Sequence, residues 1–413
     1  MKRLLALLMS ALLLTGCAPA EAPPAESSQP PAESVIAPLP EPEPEPEPIV
    51  ARLAVAGDIM NHDPQIDDAY IPATGEYSYY HMFAEAAPQL KAADYAVGNL
   101  ETTLAGGPNY SGYPNFNAPD GLAFSLKEAG FDLLSTANNH SRDKGMDGIF
   151  RTLDVLDRAR LAHVGTYRSQ AERDASSGIY VADVGGISVA FLSYTYGMNG
   201  YTLDDDKMWA VNLFNKDYYT TLCDPDYEKL EQDMAAARAL DTDLIAVIMH
   251  WGNEYKDQEN HHQTNMAQFL AEQGADLILG GHPHVLEPYG TVTAASVEDG
   301  QEHQTFVCYS LGNFISCQID FKTKVTVVLD LELTKAPDGE VSVTDVRYTP
   351  YYMLKRKDQP LGSQRTLIHV HDAIAEYESG DHSRISGKTY GELTAALDHC
   401  HTVLGAEGDR PSL

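Results

Sequence analysis

Ligand-type side chains recur directly behind five short apolar runs of this chain: Gly57-Asp58, Asn99-Leu100-Glu101, Asn138-Asn139-His140, His250-Trp251-Gly252 and His282-Pro283-His284. Asp and Glu offer hard anionic oxygen, Asn a neutral carbonyl oxygen and His a borderline nitrogen. That mixture suits Mn, Fe, Zn or Mg rather than copper or an iron–sulfur cluster. One or two such cations could activate a water and polarise a phosphoryl or carbonyl oxygen. In the His282-Pro283-His284 triplet, alternation along a strand would turn both imidazoles to one side, with Gly280-Gly281 letting the backbone approach closely. Asn139 and His140 project in different directions, one suited to ligation and the other to proton donation.

Taken singly, each cluster has a plainer reading. Gly-Asp after a strand is commonly a turn, and a lone His is usually a satisfied core or surface residue. Five together are hard to produce by accident, because loop tips could equally carry Ser, Lys or Thr. The runs ahead of them (Leu53 to Ala56, Tyr95 to Val97, Leu133 to Leu134, Leu244 to Met249 and Leu277 to Leu279) are short and partly β-branched, as strands inside an α/β core are. Ligands of open α/β sheets bind outside the carboxyl ends of the strands, so the five clusters predict one convergent metal site.

Helices are expected at Lys144 to Arg160, with Met146, Ile149, Phe150, Leu153 and Leu156 on one face, at Tyr227 to Ala239 and at Thr264 to Glu272. Further strands are expected at Ile187 to Tyr194, Thr305 to Tyr309, Val325 to Leu333 and Val341 to Tyr348, the last of them antiparallel, which predicts mixed sheets. Asp63 to Tyr80, Gly106 to Asp120 and Tyr196 to Tyr219 read as loops over the site. The tail beyond Tyr351 offers two helical patterns, Arg365 to Glu376 and Tyr390 to Leu404.

The chain opens Met-Lys-Arg, runs apolar from Leu4 to Leu14 and reaches Leu14-Thr15-Gly16-Cys17, a secretory signal whose end resembles a bacterial lipobox. A lipid on Cys17 would tether the protein to the extracytoplasmic face of the bacterial cell membrane. Residues 18–48 hold Pro, Ala, Glu and Ser and end in a Glu-Pro alternation, which cannot build a core and reads as a disordered stalk. The expected division is therefore 1–17 signal, 18–48 stalk, 49–350 catalytic-type domain and 351–413 helical extension.

Of the net charge of −32, the stalk holds seven Glu and the signal holds Lys2 and Arg3, which leaves −27 on residues 49–413. A body this acidic repels nucleic acid and anionic lipid and would engage a polyanion only through a metal or a local basic patch. Cys223, Cys308, Cys317 and Cys400 show no CxxC spacing, which argues against zinc–thiolate ligation and leaves any pairing open.

The series Gly57-Asp58-Ile59-Met60, Gly98-Asn99-Leu100-Glu101, Ala137-Asn138-Asn139-His140 with Asp143 and Gly145, His250-Trp251-Gly252-Asn253-Glu254-Tyr255, Gly281-His282-Pro283-His284-Val285 and Ser310-Leu311-Gly312-Asn313-Phe314 resembles the capsule-synthesis CapA family of poly-γ-glutamate synthesis. That family is similar to the calcineurin-like metallophosphatases, and the resemblance implies a four-layer α/β/β/α sandwich with mixed sheets. It also implies one or two divalent metals (Mn, Zn, Fe or Mg) on Asp58, Asn99, Glu101, Asn139, His250, His282 and His284, with His140 catalytic. Met60 and Asn99 stand where the wider phosphatase pattern has His and Asp; Glu101 could supply the missing charge, and His62 is a weaker substitute. Glu287 stands where the family leads one to expect Gln.

Trp251, Glu254, Tyr255 and Asn313 are candidate substrate contacts, with sheet-edge packing the equal alternative for Trp251 and turn capping for Asn313. Asp143 reads first as the N-cap of the following helix and second as the partner that orients His140. The resulting expectation is a surface-anchored, metal-dependent hydrolase in poly-γ-glutamate capsule synthesis or processing, using metal-activated water on an amide or phosphoester. Its partners would be an anionic polymer or phosphorylated substrate and membrane-bound synthase or export subunits, with no nucleic acid. The alternative is a non-catalytic, polymer-binding component of an assembly or export machine.

Overall fold

A computed structural model describes residues 47–298, 300–356 and 359–411. The expectations for the signal, for Cys17 and for nearly all of the stalk lie outside those residues.

Two mixed sheets form the centre. In the first, Arg365–His369, Val341–Lys355, Val325–Lys335, Ile49–Ile59, Tyr95–Leu100, Leu133–Ser135 and Ala162–Val164 follow one another, and Asn313–Ile315 joins the end of Ile49–Ile59. Pairing is parallel from Ile49–Ile59 through Ala162–Val164 and antiparallel on the other flank. In the second, the order is Leu286–Ala295, Glu302–Leu311, Leu277–Gly281, Leu244–His250, Ile187–Thr195 and Tyr180–Val184. Its four inner strands are parallel, and each edge strand is antiparallel.

Alternate side chains of these strands enter different cores. Leu53, Val55, Val97 and Leu133 meet Ala246, Ile248, Leu277 and Leu279 between the sheets. Ala54, Ala56, Ala96 and Leu134 face the other way, towards helices Gly121–Ala129 and Gly145–Ala159. Ile245, Val247 and Met249 pack outwards against Tyr227–Arg238 and His261–Glu272. Strands covered on both faces read as continuous apolar runs, which is why no polar alternation marks them in the sequence. The result is the expected helix/sheet/sheet/helix order of four layers.

Three expectations need correction. The boundary expected at 350 falls inside the strand Val341–Lys355. Arg365–His369, expected as helix, is a strand of the first sheet, and helix Val370–Glu378 follows it. Val370, Ala373, Leu393, Ala396, Cys400 and Leu404 then fill the core between the sheets, so the tail completes the sandwich rather than extending it. The expected loop 63–80 contains helix Asp63–Ala69, started by a Pro in its first turn, and the small hairpin Tyr70–Ile71 with Glu76–Tyr77. No helix of the described residues is long and apolar enough to cross a membrane.

Candidate metal centre

All five clusters come to one end of the sandwich. Asp58 ends the strand Ile49–Ile59, Glu101 follows Tyr95–Leu100, His250 ends Leu244–His250, and His282 and His284 follow Leu277–Gly281. The two sheets face each other here, so ligands from both approach across the gap. Asp58, Glu101, His250, His282 and His284 are all buried. Their side-chain donors form two overlapping triads, Glu101 with His250 and His282, and Asp58 with Glu101 and His284, each within 4.8 Å. The exposed Glu254 forms a third with His282 and His284.

The pair His282 and His284 reaches the centre by a route the sequence reading did not give. Neither lies on a strand; both have left-handed backbones, φ 100° and 59°, as does Tyr255 at 65°. Non-glycine residues pay of order 1–3 kcal/mol for such geometry and keep it where the surroundings over-determine it. Here Asp58 Oδ2 accepts the His282 N–H at 3.0 Å, and a Cβ on Gly281 would stand 2.5 Å from Asp58 Oδ1. Asn313 braces the same turn: its Nδ2 donates to the His284 carbonyl at 3.3 Å, to Gln318 Oε1 at 2.8 Å and to the Thr323 carbonyl at 3.0 Å. The Asn313 amide nitrogen is thus spent on the turn behind His284, while its buried Oδ1 has no hydrogen-bond partner and stays available to a ligand.

Glu101 is the centre of the arrangement. Both of its carboxylate oxygens are buried and have no hydrogen-bond partner. Oε1 lies 3.6 Å from His250 Nε2 and 3.8 Å from His284 Nε2. Two ligands at metal–ligand distances of ~2.1 Å in tetrahedral geometry stand roughly 3.4 Å apart, so the spacing fits a shared cation. Burial, and then the charges of Asp58, Glu254 and Asp143, push the Glu101 carboxyl well above the usual carboxylate range. Burial, and then neighbouring imidazoles, push His250 and His282 well below the usual histidine range. His250 and His282 are therefore neutral imidazoles, and the ionised form of Glu101 lacks a counter-charge unless a cation supplies it.

The remaining expected ligands are hydrogen-bonded within the cluster. Asn99 Nδ2 donates to Asp58 Oδ1 at 2.8 Å, and its Oδ1 accepts from Asn138 Nδ2 at 3.1 Å, so both ends of its amide are used in holding neighbours. Asp58 Oδ2 lies 3.2 Å from His284 Nδ1, the position of a carboxylate that orients a ligating imidazole through its second nitrogen. Asn139 Oδ1 is 2.9 Å from His250 Nε2, which keeps it at the cation position.

His140 sits beside the ligands, with its Nδ1 2.7 Å from Asp143 Oδ2. Asp143 also accepts the Phe116 N–H at 2.7 Å, and the following helix is capped at Lys144. The helix-cap reading of Asp143 is therefore replaced by its second reading, the orienting partner of His140. Competition between the two uses is decided by tertiary packing of the loop 106–120.

A cavity of about 620 Å³ opens beside His282, lined among others by Tyr196, Trp251, Glu254, Asn253, His262 and Gln263. Trp251 is 2% exposed, stacks on Tyr309 and donates Nε1–H to the Tyr309 carbonyl at 2.9 Å, so it is both wall and packing. Tyr255 is exposed, 6.1 Å from the His284 ring. The sequence reading missed Tyr196, whose ring stacks on His250 at 6.2 Å and leans on His282 at 4.6 Å. It follows the strand Ile187–Thr195 directly, the same strand-end position that flagged the other clusters. Asn199, also missed, accepts from Asn139 Nδ2 at 3.2 Å in a left-handed backbone of φ 49°.

Residues 52–318 match the model of the family described as bacterial capsule synthesis protein PGA_cap. The chain belongs to that family. It is 30% identical over 323 residues to the PGA biosynthesis protein CapA of Bacillus subtilis, covering 77% of this chain and 76% of that one. It is 27% identical over 361 residues to the capsule biosynthesis protein CapA of Bacillus anthracis, covering 85% and 79%. Among solved structures, this PGA_cap-family chain is similar to the 5'-nucleotidase precursor from Thermus thermophilus (TM-score 0.42, 16% identity, 84% of this chain and 60% of that one). It is also similar to the calcineurin-like phosphoesterase YfkN from Bacillus subtilis (TM-score 0.39, 14% identity, 85% and 99%). The four cysteines among the described residues are free thiols.

Proposed function

We propose that this PGA_cap-family chain is a metal-dependent hydrolase that cuts an amide of a γ-linked polyglutamate, or a phosphoester, outside the cytoplasmic membrane. The observation that carries the reading is the Glu101 carboxyl group, both oxygens buried without a partner beside the imidazoles of His250, His282 and His284. A buried ionised carboxylate costs several kcal/mol unless a cation or donors compensate it. Glu101 with His250 and His282, with Asn139 alongside, and Asp58 with Glu101 and His284 would hold one or two divalent cations. When bound, such a cation supplies Lewis acidity, which activates water and polarises an acyl or phosphoryl oxygen.

The chain's own residues do the rest. Asp143 holds His140 through Nδ1, which leaves the Nε2 lone pair to take a proton from the attacking water and pass it to the leaving group. Asp58 fixes the His284 ring, and Tyr196 packs against His250 and His282, keeping water from their outer faces. The cavity beside His282 takes the chain on one side of the scissile bond. A lipid on Cys17 and the 18–48 stalk would hold this site at the cell surface, near membrane-bound synthase or export subunits.

One observation favours a second reading, a non-catalytic component that grips carboxylates of the emerging polymer. Both ends of the Asn99 amide are engaged in hydrogen bonds, so the second donor triad, Asp58 with Glu101 and His284, lacks the bridging ligand expected at that position. Residues 47–413, loaded with Mn, Zn or Mg and offered poly-γ-glutamate and a phosphodiester, separate the two. Turnover that disappears in His140→Ala while metal is retained supports the hydrolase; polymer binding without turnover supports the second reading.

A further inference from the structure

His62 lies outside the ligand set and is linked to His140 through one aromatic ring. Its ring meets Phe116 edge-on at 5.3 Å, and Phe116 meets His140 at 4.6 Å. Burial, and then the neighbouring His284 and His140, hold His62 neutral, with its pKa lowered to about 4.

The position of its single proton follows from one hydrogen bond. The backbone N–H of Cys317 donates to His62 Nδ1 at 3.2 Å. A backbone amide can only donate, so Nδ1 carries no proton, and in a neutral imidazole the proton then sits on Nε2. Gln65 Oε1 lies 3.3 Å from the same Nδ1, but it already accepts the His62 backbone N–H at 2.9 Å. The Cys317 amide is fixed by the main chain and decides between them. Among the described residues, Nε2 of this partly exposed ring has no hydrogen-bond partner.

We propose that His62 is a fixed N–H donor that presents Nε2–H to an anionic oxygen of the bound substrate, and that it is not a metal ligand. Ligation through Nε2 would need the lone pair there, which moves the proton to Nδ1 and against the Cys317 N–H. A donor held in this way has its orientation set before substrate arrives, and a neutral N–H carries no charge that would repel the cation beside it. The inference rests on the reading of the neighbouring cluster as a metal-dependent site for an anionic substrate. The anionic oxygen belongs either to a carboxylate of the polymer or to a phosphoryl group.

The test is long-range ¹H–¹⁵N NMR on the full chain, labelled with ¹⁵N and carrying the metal with which it is purified. The His62 signals are assigned by their loss in His62→Gln. The expected result is a bare Nδ1 and a protonated Nε2, whose signal moves on addition of a short γ-linked glutamate oligomer or of inorganic phosphate. Which of the two moves it identifies the source of the anionic oxygen. His62→Phe should weaken binding of that anion about tenfold or more, and His62→Gln, whose amide still donates, should weaken it less, with metal content unchanged in both. A proton on Nδ1, a metal-shifted Nε2, or wild-type affinity for both anions in His62→Phe would overturn the proposal. So would a wild-type chain that binds neither anion. The tautomer is read without turnover, so an inactive chain with this tautomer and this affinity sinks the hydrolase alone.

Discussion

His284 is held between two carboxylates: its Nδ1 lies 3.2 Å from Asp58 Oδ2, and its Nε2 faces Glu101 Oε1 at 3.8 Å. The first carboxylate orients the ring, and the second shares with it the position a cation would take. Asp58→Asn keeps the shape and the bond to the His282 N–H but weakens the hold on His284. Metal affinity should fall by 10- to 100-fold, the usual effect of losing such a support, in a competition titration with a chelator. A variant that binds metal as the parent does would remove the orienting role.

Asp143 selects the ring nitrogen that His140 presents. Asp143→Asn should leave metal content intact and lower turnover by roughly 10²- to 10⁴-fold, the range for a positioned general acid. The paired measurements are elemental analysis and initial rates on the same preparation.

Glu287 is fully buried, with Oε2 accepting from Gln263 Nε2 at 2.6 Å and Oε1 unpartnered, and burial raises its pKa to about 8. The folded state therefore holds a proton that the unfolded chain releases near pH 4.5. Between those values the native state binds more protons, so this group makes stability fall as pH rises from about 4.5 to 8. Glu287→Gln should abolish that slope and stabilise the protein at pH 8 by about 1–3 kcal/mol, measured by urea denaturation across the range. An unchanged slope would contradict the assignment.

Leu393, fully buried on the helix Gly387–Leu404, packs into the core between the sheets. Leu393→Ala should cost about 2–5 kcal/mol of unfolding free energy, and a chain ended at residue 355 should fail to fold. A stable truncated domain would restore the expected boundary at 350.

Much of the site was legible because strand ends are where an α/β sandwich binds ligands, and Asp58, Glu101, Asn139, His140, His250, His282 and His284 converge as expected. What stayed hidden was set across the chain. Whether Asn99 ligates or braces depends on where Asn138 lies. Asp143 could cap its helix or orient His140, and its second partner, the Phe116 amide, comes from a distant loop. Arg365–His369 reads as helix locally, yet pairing with Val341–Lys355 makes it a strand. Tyr196 and Asn199 carried no motif, only their place after a strand.

The central claim is that Glu101, the residue common to the triads with His250 and His282 and with Asp58 and His284, holds a divalent cation. Elemental analysis of the purified full chain and of Glu101→Gln, with folding checked by circular dichroism, tests it most directly. The account predicts at least one equivalent of a divalent metal in the parent and little or none in a folded Glu101→Gln. A folded parent that holds no metal even after incubation with Mn, Zn or Mg would contradict it.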